Sequence, residues 1–131
     1  MKSIDVSTNS KSEMIDITSK INKYVNDIMD DNGVITVYVP HTTCGITINE
    51  GADPAVKSDI LKTLDQKIPW NNNYKHAEGN SAAHIKSSVM GSSVNLIVRN
   101  GRIQLGTWQK VFLCEFDGPR RRKIWIEYFT K

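Results

Sequence analysis

The stretch Val94-Asn95-Leu96-Ile97-Val98-Arg99-Asn100-Gly101-Arg102-Ile103-Gln104-Leu105-Gly106-Thr107 decides the fold class. Asn-Gly readily occupies the two positive-φ positions of a type I′ turn, whose twist matches that of the strands it joins. Flanked by apolar alternation, it predicts a two-residue hairpin between strands over Val94–Arg99 and Arg102–Thr107. Downstream, Val111–Phe116 and Lys123–Phe129 read as two more strands joined across Asp117, Gly118 and Pro119. The C-terminal third is therefore expected to be an antiparallel meander.

Upstream of the hairpin lie the helices. Ala82, Ala83, Ile85 and Val89 follow a cap at Asn80 or Ser81 and precede Gly91, the pattern of a short helix with a glycine stop. Asp53-Pro54 supplies an N-cap and a first-position proline, Val56, Ile60, Leu61, Leu64 and Ile68 give the apolar stripe, and Pro69 closes it. From Ile17, the residues Ile21, Tyr24, Val25, Ile28 and Met29 recur at helical spacing, between a cap at Thr18 or Ser19 and Gly33. Val34–Val39 is almost unbroken β-branched and aromatic sequence, a buried strand that Pro40 ends because it has no amide hydrogen. Ile46–Ile48 reads as another short strand, and Lys2–Thr8 and Met14, Ile15 and Ile17 suggest two at the N-terminus. The expectation is an α+β chain with a largely antiparallel sheet and about three helices, one domain over residues 1–131.

Bulk properties narrow the function. Hydrophobic residues at 39% and charged residues at 24% of 131 are the balance of a globular protein with one core. A net charge of +3, with the local run Arg120, Arg121, Arg122 and Lys123, is too small an excess for a general nucleic-acid polyelectrolyte. No apolar run approaches the ~20 residues of a membrane span, and Met1–Ser10 lacks the pattern of a signal peptide, so a cytoplasmic protein is expected. Cys44 and Cys114 lie far apart in apolar segments, which predicts buried thiols rather than a disulfide or a zinc site.

The chemistry-bearing residues concentrate in two places. His41 exits the buried strand beside Thr42 and Thr43, His76 sits in the long polar loop Trp70–Asn80, and His84 lies on the third helix. With Glu50 they form a nitrogen and oxygen donor set without thiolate, which suits zinc, nickel, manganese or iron in an open site. Glu50 is a candidate base, His84 a candidate acid or base, and His41, His76 and His84 candidate metal ligands. The plain alternative is three separate histidines, each hydrogen-bonded locally. Thr107, Trp108 and Gln109 break apolar alternation after Gly106 and are candidates to line a cleft. Asn80, at the open amides of the third helix, and Arg121, in the basic run, are candidates to hold an anion.

The motifs Pro40-His41-Thr42-Thr43-Cys44-Gly45-Ile46-Thr47-Ile48-Asn49-Glu50, Asn80-Ser81-Ala82-Ala83-His84-Ile85-Lys86 and Gly106-Thr107-Trp108-Gln109, in that order, resemble the YjbQ family. This family of unsettled function is also labelled secondary thiamine-phosphate synthase. The resemblance implies an α+β subunit assembled as a homotrimer, with the matched polar residues in clefts near subunit interfaces. It implies a site at His41, Glu50, His76, His84 and Thr107-Trp108-Gln109 that takes a metal or a phosphate-bearing small molecule. It also implies a weak condensation of an aminopyrimidine pyrophosphate with a thiazole phosphate, which would call for magnesium. Lys75–Asn80 is a shorter, plainer version of the family's acidic histidine loop. A second enzymatic reading dispenses with metal and leaves His84 to move protons while the helix amides and Arg120 or Arg121 grip phosphate. The contrasting reading is a non-catalytic module that binds nucleic acid or an acidic partner through residues 120–123.

Overall fold

Alternating and doubly apolar segments sort the strands into two sheets. The structure is a computed structural model and describes residues 1–28 and 32–130. Its elements are β1 (Lys2–Ser7), β2 (Glu13–Asp16), α1 (Thr18–Ile28), β3 (Gly33–Tyr38), β4 (Cys44–Glu50), α2 (Pro54–Lys67), α3 (Ser81–Met90), β5 (Ser93–Arg99), β6 (Arg102–Ile103), β7 (Gln109–Glu115) and β8 (Arg121–Thr130). The α+β class and the three helices among the described residues agree with the reading above. Met29, assigned to the first helix from its spacing, lies outside the described residues.

One sheet has the order β1-β8-β3-β5-β6 and the other β2-β7-β4, with every pairing antiparallel. The Asn-Gly turn forms as its sequence demands, with φ of 51° at Asn100 and 72° at Gly101 and Val98 opposite Ile103. The strand after it stops at Ile103, because Gly106–Gln109 closes a tight turn instead of continuing the ladder: the Gln109 amide donates to the Gly106 carbonyl at 3.0 Å. Nor do the last strands form a meander. β7 lies in the three-stranded sheet and β8 in the five-stranded one, so the segment between them crosses from sheet to sheet.

The division follows from which faces are apolar. Ile35, Val37, Leu96, Val98, Ile124 and Ile126 of the larger sheet meet Ile46, Val111 and Leu113 of the smaller, and Ile17, just before α1, seals the layer with Ile21 and Val25 of that helix. The reverse face of β7 presents Phe112 and Cys114 to a second cluster with Ala83 of α3 and Ile60, Leu61 and Leu64 of α2. A strand buried on both faces belongs in the middle of a sheet, which is where β7 runs. Each fully buried aliphatic side chain contributes roughly 1.5–3 kcal/mol. Both cysteines are buried free thiols, and burial pushes each up to about 12.

One close approach sets the position of α3. A Cβ on Gly45 would lie 2.9 Å from the Gly91 carbonyl oxygen and 2.9 Å from the Met90 Cβ. The bare glycine lets β4 press against the end of α3, where the Ile46 amide donates to the Gly91 carbonyl at 3.0 Å. The histidine of α3 is thereby carried to the strand exit that bears His41.

Candidate functional site

Where β3 ends, β4 begins and β7 turns into β8, the chain leaves a cleft of about 840 Å³. The cleft is lined by His41, Thr42 and Thr43 from the β3–β4 connection, by His76, Glu78, Asn80 and His84 from the long loop and α3, by Asp117, Arg120 and Arg122 from the β7–β8 connection and the start of β8, and by Tyr38 and Trp125. An adjoining hollow of about 340 Å³ shares His41, Thr42 and His84. The rings of His76 and His84 meet edge to face, 5.4 Å between centroids, and His76 Nε2 is 3.9 Å from Glu78 Oε2. The Asn80 side chain donates to Asp117 at 2.9 Å, while its own Oδ1 is buried without a partner among the described residues. Tyr38 and Trp125 stack at 5.8 Å.

A buried ion pair underlies the cleft. Arg122 Nε donates to Glu115 Oε2 at 2.7 Å, and its Nη2 donates to Glu115 Oε1 and to the Thr43 hydroxyl at 2.8 Å. Glu115 also accepts from the Thr8 hydroxyl and the Asp117 amide, each at 2.9 Å. Burial pushes the Glu115 carboxyl up, but the hydrogen bonds from Arg122 and the Asp117 amide outweigh it and hold the group below its ordinary value. Burial is also the main reason the His41 imidazole is held below its ordinary value, with the Arg122 charge adding to it and Glu115 opposing. Arg120 is the more exposed guanidinium and rests on Asp117, Nη2 to Oδ2, at 3.1 Å.

The family model described as UPF0047 protein YjbQ-like matches residues 2–131. The chain belongs to the YjbQ-like family. It is 48% identical to UPF0047 protein YugU of Bacillus subtilis, over 97% of each chain. It is 50% identical to UPF0047 protein MJ1081 of Methanocaldococcus jannaschii, over 93% of this chain and 88% of that one. A crystal structure from Clostridium acetobutylicum, described as an uncharacterized conserved protein of the yjbq/upf0047 family, superposes with a TM-score of 0.95 at 47% identity. That match covers 98% of this chain and all of the other. Membership in the YjbQ-like family carries the fold and no assigned reaction.

Within this YjbQ-like chain, the residues singled out from sequence fall into two groups. His41, Thr42, Thr43, His76, Asn80 and His84 line one cleft. Glu50, Thr107, Trp108 and Gln109 do not. Cys44 pairs with Glu115 at one end of β4 and Glu50 with Gln109 at the other, six residues or about 20 Å along the strand. Arg121 is also absent from the cleft, because strand alternation turns Arg122 inward and Arg121 out beside Ser7. Of the two arginines offered for gripping phosphate, Arg120 lines the cleft and Arg121 does not, and the residues missed were Arg122, Glu115 and Asp117. Glu115 had a legible signal, a lone carboxylate in an apolar run, which calls for a buried cation.

A metal ion would need several of these donors gathered around one point. Among the described residues no three His, Cys, Asp or Glu side chains gather closely enough to hold one. His41 Nε2, moreover, already accepts the Lys123 amide at 2.8 Å. Within one YjbQ-like chain, then, the imidazoles share a cleft but do not form a ligand shell.

Proposed function

We propose that the cleft is the active site of an enzyme acting on a small phosphate-bearing molecule, with His84 moving the proton. Arg120 and the open amides at the start of α3 would grip the phosphate. The observation that carries this is the convergence of all three histidines of the chain and two guanidiniums on one cleft, beside the first turn of a helix. Thermal melting in inorganic phosphate and in pyrophosphate tests it. Protection that disappears in Arg120→Ala and survives in Arg121→Ala supports the reading, and no protection of the unaltered protein removes it.

The narrower version is a weak thiamine-phosphate synthase, condensing an aminopyrimidine pyrophosphate with a thiazole phosphate and releasing pyrophosphate. It is tested by product formation, which His84→Ala should abolish. A metal-dependent version needs His41 to leave the Lys123 amide. Stoichiometric metal in chelator-free protein would support that, with no gain in melting temperature from zinc, nickel, manganese, iron or magnesium counting against it. The cysteine chemistry and the small net charge fit a cytoplasmic protein.

Assembly as a homotrimer is part of this reading. The outer face of the five-stranded sheet bears the row Phe129, Val34 and Ile97, at 57%, 42% and 57% exposure, and continues to Tyr38 and Trp125 at the cleft. A subunit packed there would border the cleft. Mass measurement in solution, with Ile97→Lys as the disrupting variant, tests it. The nucleic-acid module is less well supported, because three of the four residues of its basic run are engaged within the chain. Arg120 rests on Asp117, Arg122 on Glu115 and Lys123 on Asp5.

A further inference from the structure

Lys123 lies two residues before Trp125, and Trp125 faces Tyr38 in the last rung between β3 and β8. The position facing Lys123 in that register belongs to Pro40, where β3 has already ended. The Lys123 amide is instead taken by a side chain: it donates to His41 Nε2 at 2.8 Å. A backbone N–H can only donate, so the atom it meets must carry a lone pair. Turning the ring over would set a C–H against that N–H, and an imidazolium would set a second N–H against it. The contact is therefore satisfied by one form of the ring, neutral with its proton on Nδ1. No partner for Nδ1 is found among the described residues, and the ring lines both the cleft and the adjoining hollow.

We infer that His41 is locked by the Lys123 amide as an Nδ1–H tautomer and presents that N–H to an anionic oxygen of the bound ligand. This rests on the proposed phosphate site and gives His41 a role distinct from that of His84. His41 is a neutral hydrogen-bond donor rather than a base or a metal ligand. Burial and the neighbouring Arg122 charge favour the same neutral ring.

Two substitutions separate the halves of this role, because Gln places its amide near Nε2 and Asn places its amide near Nδ1. In His41→Gln the Lys123 amide keeps an acceptor and the ligand-facing donor is lost. Its melting temperature should stay near that of the unaltered protein, while the dissociation constant for inorganic phosphate should rise about tenfold. His41→Asn should do the reverse, with near-unaltered phosphate affinity and a lower melting temperature. The direct measurement is an imidazole nitrogen spectrum of histidine-labelled protein at about pH 7, assigned with His41→Gln. Protonated Nδ1 with bare Nε2 at His41, and a shift of the Nδ1 resonance on adding phosphate, is the expected result. An Nε2–H or doubly protonated His41 overturns the inference, as does a phosphate affinity unchanged in His41→Gln. If the unaltered protein binds neither phosphate nor pyrophosphate, the phosphate site and the donor role fall together. The spectrum without ligand still shows whether the tautomer was assigned correctly.

Discussion

The two ends of the β4–β7 ladder hold their polar groups in opposite ways. At the Cys44 and Glu115 end, carboxylate, guanidinium and hydroxyls satisfy one another within the chain, and Glu115 is 0% and Arg122 4% exposed. At the Glu50 and Gln109 end, Glu50 Oε2 is buried with no partner among the described residues, and Trp108 is 63% exposed. The turn between them is closed by its own atoms, with the Gly106 amide donating to Gln109 Oε1 at 2.7 Å. The ion pair of the first end is complete in one chain and lies under a cleft, where Asn80 Oδ1 is the one buried side-chain polar atom without a partner among the described residues. The second carries a carboxylate and an indole that one chain leaves unanswered.

Breaking the complete end should have the largest effect. Glu115→Gln leaves the buried Arg122 charge uncompensated, which costs about 3–5 kcal/mol where one partner of such a pair is removed. Denaturant unfolding measures this, and a loss under about 1 kcal/mol would show that the pair is not what holds this end together. Acid should act in the same direction. The Glu115 carboxyl is held below its ordinary value of 4.5 in the fold, so its stabilisation is present at neutral pH and is lost as pH falls below that value. His41, held below 6.5, adds a milder loss that begins as pH falls through that value, since the unfolded chain takes up the proton more readily. An unfolding free energy flat from neutrality to about pH 4 would contradict both assignments.

Next in size is Gly45→Ala. The added methyl meets the Gly91 carbonyl and the Met90 Cβ, and accommodating it costs about 1–3 kcal/mol while moving α3 off β4. Because α3 carries His84 to the cleft, phosphate protection should fall along with stability. A stable Gly45→Ala variant with full protection would show that this contact does not position the site. Arg120→Ala is narrower still. Its side chain is about half exposed, at 53%, although Asp117 is only 15% exposed, so the pair is worth on the order of 1 kcal/mol and melting without ligand should change little. The phosphate affinity should nevertheless fall about tenfold.

The same contrast shows what the sequence made legible. Local chemistry was readable: Asn100-Gly101 became the hairpin, Asp53-Pro54 began α2, and Gly91 followed α3 with φ of 92°. The family and its fold were readable from the three ordered motifs. Strand partnership was not, because the pattern Val111–Phe116 says that both faces are buried without saying which strands lie beside it. That is why the meander was expected. The cleft was half readable, since three histidines in polar settings were found, but Arg122 was missed in favour of Arg121. A one-residue change of parity inverts which side chain points inward, and the run Arg120–Lys123 offers no apolar marker of its own to fix that parity. Glu50 was grouped with His41 because they share one motif, yet an extended strand carries residues nine apart in sequence to opposite ends of a sheet.

The smallest effects belong to the unanswered end, and they decide what that end is for. If one chain is all there is, Glu50→Leu should be neutral or stabilising by about 1 kcal/mol, because it removes a buried oxygen that lacks a hydrogen bond. Trp108→Ala should cost under about 0.5 kcal/mol, as an exposed side chain gives up little on truncation. Both variants should then melt at a temperature independent of protein concentration. The alternative outcome is equally specific. A loss above about 2 kcal/mol in either variant, together with melting that becomes concentration-dependent, means that a second copy supplies the missing partners. Glu50 and Trp108 would then be interface residues, and the carboxylate that one chain holds about 20 Å along β4 from Cys44, at the far end from the cleft, would be free to serve a neighbouring subunit.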